Sequence, residues 1–375
     1  MIHANKRALW CAALVGAFGL GACGKTKLAI TTADKLAPPN AEAVKLFVSG
    51  AEQLKAGTPK ALARAREQLE QAVARAPNLW EAHYDLGLAL RKLDQLDPAR
   101  ASFLRARELA PDAPEPILAL AECDLTRGDT GSAAALLEGF LARDPGHREA
   151  RLSLSALYHA RGDLDRALKH AREVLIRDPS ETRALVEVGR VYRAQKELDV
   201  AELVLEKARA IDEKNAAIYN ELGLLALDRG DTQLAFTQFA QASQRDARFA
   251  PAHMNQGSVL LKAGDFEAAE RAYKAALVAD AQATDAQIGL AIALRGQGKH
   301  KEAKAHYERV LREEPNHLAA LYDLAVLNAD FLDLRQEALA LFERYLTLAP
   351  TGDAQRPLAQ RYLEDIRMAS GSTPP

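Results

Sequence analysis

Cysteine is nearly absent from this chain: three residues in 375, at Cys11, Cys23 and Cys123. Two of them sit near the N-terminus. Cys123 is alone in the rest of the chain, which excludes an intramolecular disulfide framework or a cysteine-based zinc site there. The nine histidines are scattered, with no HExxH pattern and no tight cluster, so no metal site is expected. Aromatic residues make up only 6%, too few for a β-sandwich core, which draws on aromatic and β-branched side chains. Neither sign of charge is in excess: 49 basic against 51 acidic residues, a net charge of −2. Nucleic-acid binding needs a concentrated basic face to displace counterions, so no nucleic-acid partner is expected. No nucleophile–base pair stands out, and no stretch reads as a catalytic domain; neither an enzyme activity, nor a cofactor, nor a small-molecule substrate is expected. What is present is 48% hydrophobic and 27% charged residues, with alanine dominating the apolar set, a mixture suited to closely packed helices.

The N-terminus reads as a processing signal. Lys6 and Arg7 precede an apolar stretch from Ala8 to Gly21, shorter than the roughly 20 apolar residues a membrane-spanning helix needs. Leu20-Gly21-Ala22-Cys23 resembles the lipobox of bacterial lipoproteins. The resemblance implies that residues 1–22 are a lipoprotein signal peptide and that Cys23 carries the lipid and begins the mature chain. An ordinary signal peptide with a coincidental cysteine is the alternative. Gly24, not aspartate, follows the cysteine; by the sorting rule of enteric bacteria this implies a lipid anchor in the outer membrane, facing the periplasm. Loss of Lys6 and Arg7 brings the charge to 47 − 51 = −4. Gly19 to Thr26 also matches the phosphate-binding pattern GxxxxGK[ST]. Half of that match lies in the apolar leader and no strand–helix unit follows, so it is not read as a nucleotide site. Residues 23–40, ending in Pro38-Pro39-Asn40, read as the lipidated cysteine and a flexible tether.

From there on the chain repeats. Alanine recurs at 65, 99, 133, 167, 201, 235, 269 and 303, every 34 residues, and then at 338 after 35. Proline follows twelve residues later at 77, 111, 145, 179, 315 and 350. A small residue precedes each alanine (Gly50, Gly87, Ala121, Ser155, Gly189, Gly223, Gly257, Ala291, Ala325), and in most repeats a bulky one lies four positions beyond it (Leu69, Phe103, Leu137, Leu205, Phe239, Tyr273, Tyr307, Phe342). In the fourth repeat Ala171 takes that place. Each unit reads as two amphipathic helices, the first spaced as in Leu86, Leu90 and Leu93. Gly-Asp pairs at 128–129, 162–163, 230–231 and 264–265 separate them, glycine ending one helix and aspartate capping the next. Small residues let two backbones approach and the bulky one fills the space beside them. A single hairpin of this kind cannot bury its apolar face, so neighbours must stack.

This pattern resembles the tetratricopeptide repeat family over roughly residues 43–350. The stretches from Trp80 (WEAHYDLGLALRKLDQLDPARASFLRARELAPD) and from Ala216 (AAIYNELGLLALDRGDTQLAFTQFAQASQRD) carry it most fully. The expected fold is therefore all-α: a right-handed α-solenoid of about nine repeats over 41–350, a capping helix over 351–369, and a tail at 370–375. Repeat one carries about three extra residues near Gly57-Thr58-Pro59, and repeat nine one extra near Phe331. Glu213, Ala247 and Ala281 stand where the closing proline is missing, which predicts softer turns there.

The resemblance implies a concave wall lined by outward positions of the first helices. Translated to this chain, those positions are Tyr84, Asp85 and Arg91; Arg190 and Arg193; Asn220 and Glu221; Met254 and Asn255; and Arg295, Tyr322 and Asp323, flanked by Leu88, Lys92, Glu187, Leu224, Ser258, Ile292 and Val326. Read as solvated positions, they offer mixed charge, aromatic rings and asparagine amides that donate and accept at once, suited to a protein partner or an extended peptide. His83 and His253 are expected to pack rather than to bind. The expected function is a lipid-anchored scaffold that assists assembly of an envelope machine, resembling lipoproteins of pilus, secretion, gliding or polysaccharide-export systems. An adaptor or regulator of cell-wall or other envelope-biogenesis enzymes is the alternative.

Overall fold

The computed structural model describes residues 40–369. The leader, Cys23, the tether and the tail after residue 369 lie outside the described residues. Those described form helices joined by short turns, with no strand among them. They fall into two compact units, one ending at Arg161 and the other beginning at Gly162, a division that cuts the fourth repeat.

The first unit holds α1 (Ala41–Ala56), α2 (Pro59–Arg75), α3 (Trp80–Lys92), α4 (Leu96–Leu109), α5 (Pro114–Thr126), α6 (Thr130–Leu141) and α7 (Arg148–Ala160). The second holds α8 (Leu164–Arg177), α9 (Thr182–Ala194), α10 (Leu198–Ile211), α11 (Ala216–Asp228), α12 (Thr232–Arg245), α13 (Ala250–Lys262), α14 (Phe266–Ala279), α15 (Thr284–Gly296), α16 (His300–Glu313), α17 (Leu318–Asp330), α18 (Arg335–Leu348) and α19 (Arg356–Ala369). Within each unit every helix packs on the next in antiparallel hairpins, and α1 also touches α3, α3 touches α5, and α9, α11, α13 and α15 touch in succession. That is the packing of an α-solenoid. No described helix is long and apolar enough to cross a membrane.

The predicted small–large register is what brings the hairpin helices together. A Cβ placed on Gly87 would stand 2.5 Å from the Phe103 ring, and one on Gly223 2.4 Å from Phe239. Tyr273 is gripped from both sides: added Cβ atoms on Gly257 and Gly289 would come within 2.7 and 2.3 Å of it. The alanines at 65, 99, 133, 167, 201, 235, 269, 303 and 338 are all fully buried.

The turns follow from residue chemistry. Gly128, Gly162, Gly230 and Gly264 take left-handed φ of 76–83°, and the aspartate after each accepts a backbone N–H three residues on, at 2.9–3.2 Å. Where glycine is missing, Asp94, Lys196 and Asp333 are forced into the same region (φ 59, 64 and 53°). In repeat one the extra residues lengthen the helices, to 16 and 17 residues against 13 for every later first helix; the turn itself stays tight. The extra residue of repeat nine places Phe331 half exposed beside the helix end, with its ring stacked on His300 at 4.6 Å.

The turns without proline keep the shape of those that have it. Asp212, Asp246 and Asp280 adopt φ of −136, −139 and −141°, beside −136° at Asp178 before Pro179. In each, the aspartate accepts the N–H two residues on (Lys214 3.1 Å, Arg248 2.8 Å, Gln282 3.0 Å), an Asx turn that holds the bend proline would otherwise preset. The expected softening therefore has no counterpart in the backbone geometry.

At the C-terminus, α19 buries Ala359, Leu363 and Ile366 and turns Gln360, Arg361, Glu364 and Asp365 outward. Tyr362 stacks on Phe342 at 5.0 Å and donates to Asp330 at 2.7 Å. The helix begins at Arg356; the preceding residues form a turn closed by Asp353, which accepts the Gln355 N–H at 2.9 Å.

Candidate functional site

The first helices carry the candidate residues, and helical spacing decides which of them meet. In the second unit α9, α11 and α13 lie as successive neighbours. Arg190 on α9 donates through Nε to Glu221 on α11 (2.8 Å) and through Nη1 to Glu187 on its own helix (2.7 Å). Arg193 and Lys196 donate to the two oxygens of Asp228 at 2.9 and 2.8 Å. Asn255 on α13 donates to the Asn220 side chain at 2.8 Å. Further along, Arg295 faces Asp323 at 3.6 Å. In the first unit Arg91 pairs with Glu122, while the Tyr84 ring lies 5.9 Å from Phe103 and 6.5 Å from Trp80.

Exposure differs from the expectation of solvated positions. Asn220 and Glu221 are 4% and 3% exposed, and Asp85, Glu187 and Tyr322 are also buried. Tyr84, Arg91, Arg190, Arg193, Met254, Asn255, Arg295 and Asp323 are half-buried. The physical reason is that neighbouring first helices within a unit lie side by side, so a position facing the wall also faces a neighbour's side chains. Tyr322 is drawn into the C-terminal aromatic cluster, 5.4 Å from Tyr345 and 6.1 Å from Phe342, and Met254 packs at the margin of the core around Tyr273.

Burial and pairing set the electrostatics. Burial pushes the Glu187 carboxyl above its ordinary range, only partly opposed by the Arg190 charge. Burial likewise raises Asp323 against the opposing charge and hydrogen bond of Arg295. At Asp228 burial acts upward too, but the hydrogen bonds from Lys196 and Arg193 outweigh it and hold the carboxyl below the usual range. The network is also incomplete. Glu187 Oε2 is a buried atom with no hydrogen-bond partner, and Glu221 Oε2 and Arg193 Nε, which face each other as an ion pair at 3.8 Å, likewise make no hydrogen bond. A buried polar atom left unpaired carries a desolvation penalty that an incoming donor or acceptor relieves.

Asp228, Lys196 and Glu122 belong to these networks and were not singled out from sequence. A signal for them exists: Arg91–Glu122 and Arg190–Glu221 are both 31 residues apart, Arg193–Asp228 and Asn220–Asn255 both 35. Those separations flank the 34-residue period and mark facing positions on successive first helices.

The histidines serve the scaffold. His83 and His253 reach back six residues to the carbonyl oxygens of Pro77 (3.0 Å) and Ala247 (3.1 Å). His147 and His317 cap α7 and α17 by accepting the Ala150 and Ala320 N–H. Cys123 is fully buried and its thiol is pushed up by burial. Among the described residues no three His, Cys, Asp or Glu side chains converge as metal ligands.

Models of the tetratricopeptide repeat match residues 62–114 and, through overlapping windows, 160–353; a second model of the same repeat matches 124–186. A tetratricopeptide repeat protein from Parabacteroides merdae is similar in structure, with a TM-score of 0.59 and 17% identity over 68% of this chain and 100% of that one. Yeast Tom70 gives 0.55 and 16% identity over 90% of this chain and 67% of that one. The Cut9–Hcn1 assembly of the APC/C gives 0.56 and 14% identity over 87% of this chain and 64% of that one. At such identities the likeness concerns the fold alone. No curated protein matches the chain. The repeat models cover well over half of the sequence, in register with the helices described above, and the chain belongs to the tetratricopeptide repeat family.

Proposed function

We propose that the first-helix wall of the second unit holds an extended segment of a protein partner, and that the protein is a lipid-anchored scaffold serving assembly of a cell-envelope machine. As a tetratricopeptide repeat protein it is a scaffold for protein–protein interaction. The observation that carries the placement is the unfinished network on α9 and α11. Charged groups held by inter-repeat bonds retain unused hydrogen-bonding capacity at Glu187 Oε2 and at Glu221 Oε2 and Arg193 Nε, which are joined only by an ion pair at 3.8 Å. A peptide backbone, with a donor and an acceptor at every residue, suits such a surface. Half-buried Leu224, Met254 and Ser258 beside it offer apolar contact and a hydroxyl. The envelope location rests on the resemblance of Leu20 to Cys23 to a lipobox.

Photocrosslinking tests the placement in the anchored protein. A crosslinker at Leu224 or Ser258 is expected to capture a partner, while one at Leu203, 72% exposed on the second helix α10, captures none. Equal capture from both faces sinks the assignment to the wall. A Cys23→Ala variant is expected to leave the membrane fraction or remain unprocessed, since stable anchoring depends on the acyl chains. Retention on membranes after leader removal refutes the anchor. A partner drawn from cell-wall synthesis rather than from an export or motility machine selects the adaptor reading.

A further inference from the structure

Grooves recur between successive second helices, each floored by the first helix between them. Three are pronounced: between α4 and α6 over α5 (about 650 Å³), between α16 and α18 over α17 (about 450 Å³), and between α10 and α12 over α11 (about 330 Å³). Their shape comes from the repeat, but their charge does not. The α16/α18 groove sets Glu308 and Glu337 against Arg312, and the α10/α12 groove sets Glu206 and Glu213 against Arg209. The α4/α6 groove sets Arg100, Arg107 and Arg143 against a single carboxylate, Asp124.

That carboxylate is already committed. Asp124 is buried, at 2% exposure, and takes Arg100 through two hydrogen bonds of 2.5 and 3.4 Å. Arg143 sits at the rim, donating to the Pro111 carbonyl and to the exposed Asp112, both at 3.0 Å. Arg107 has neither a hydrogen bond nor an ion pair among the described residues, although it is half-buried against the groove. Between the guanidinium groups Leu104 and Leu136 remain only partly covered. The α6 wall is low, because Gly139 lines it and a Cβ added there would meet nothing within 4 Å.

We propose that this groove docks an acidic amphipathic helix of a protein partner, at a site separate from the first-helix wall. Charge complementarity fixes the sign: a cation held half out of water with no counter-ion favours an incoming carboxylate, and the surplus positive charge repels basic segments. The partly covered leucines select aliphatic side chains on the same helical face, one turn apart. The low wall at Gly139 lets a helix backbone approach closely.

The test uses the full chain and a synthetic helical peptide with leucine and glutamate spaced four residues apart, labelled for fluorescence anisotropy. A companion peptide carries lysine in place of glutamate. Saturable binding is expected for the glutamate peptide, about tenfold or more tighter than for its companion. Arg107→Glu and Gly139→Leu are each expected to weaken binding by about tenfold or more, with circular dichroism retained and melting not lowered, because neither side chain belongs to the core and leucine favours a helix over glycine. Asn255→Ala, on the first-helix wall, is expected to leave it unchanged. Absent saturable binding, equal affinity for the two peptides, or indifference to both groove variants overturns the proposal. Self-association abolished by Gly139→Leu in sedimentation assigns the groove to a second copy of the chain. Preference for phosphatidylglycerol vesicles over the glutamate peptide assigns it to a membrane surface. Either result also overturns the proposal.

Discussion

Single residues in this protein answer to two neighbours at once. Tyr273 fills the space that Gly257 leaves within its own hairpin and Gly289 leaves on the following first helix. Gly289→Ala places a methyl 2.3 Å from ring carbons, and the ring has no free side to move towards. Overpacking of this kind costs about 1–3 kcal/mol, so urea denaturation is expected to show a lowered midpoint with an unchanged slope. Glu270 shows the polar counterpart. Hydrogen bonds from Lys274, Lys299 and Gln297 hold its carboxyl down at about 2, against an ordinary 4.5. The folded state thus favours the ionised form. Its contribution is fully present above the unfolded value and is lost as pH falls from there through about 2. Glu270→Gln is expected to lower thermal stability at neutral pH, and the gap from the parent protein should close across that acid window. A gap that persists at the acid end shows that the glutamine fails sterically rather than through lost charge.

Elements are specified by substitutable devices. Turns between repeats need one extended residue after the second helix and then a reversal. Proline presets this by restricting both its own φ and the residue before it, and an aspartate does so through an Asx turn. Ala76-Pro77 relies on the first device, Asp246-Ala247 on the second, and Asp178-Pro179 has both. Ala247→Pro is therefore expected to stabilise. Asp246 already has φ −139° and ψ 101°, close to the −136° and 93° of Asp178 before Pro179. The Ala247 carbonyl keeps its bond from His253. Such a change typically adds about 0.4–1 kcal/mol through the unfolded chain, to be read as a rise in melting temperature. Destabilisation instead indicates that the Ala247 φ differs from proline's.

For the whole molecule, stability is collective, since each hairpin leaves an apolar face for the next to cover. The final helix ends that demand. Deleting residues 351–375 uncovers Phe342 and Tyr345, both now almost fully buried, and removes the Tyr362–Asp330 bond. The truncated chain is expected to melt at lower temperature and to aggregate on concentration. Monodisperse sedimentation at the parent's melting temperature excludes a capping role for α19. The candidate sites likewise exist only between repeats: the networks of α9, α11 and α13 and the groove of α4 and α6 each join residues about one period apart.

The sequence by itself determined the all-helical class, the number of repeats, the small–large register and the Gly-Asp turns. Those depend on short-range physics: 3.6-residue periodicity, left-handed glycine, side-chain caps and a 34-residue recurrence. It also pointed to the wall residues, but not to their state. Whether Asn220 meets water or Asn255, and whether Glu221 is a free carboxylate or the centre of an arginine cluster, depends on how closely neighbouring first helices approach. Only the tertiary structure decided that. It buried Asp85, Glu187, Asn220, Glu221 and Tyr322, paired Arg190 with Glu221, and left Arg107 uncommitted in its groove. The separations of 31 and 35 residues that encode these pairings acquire meaning only once stacking has set one helix against the next, because side-chain contact across repeats is a property of the packed pair and not of either helix alone.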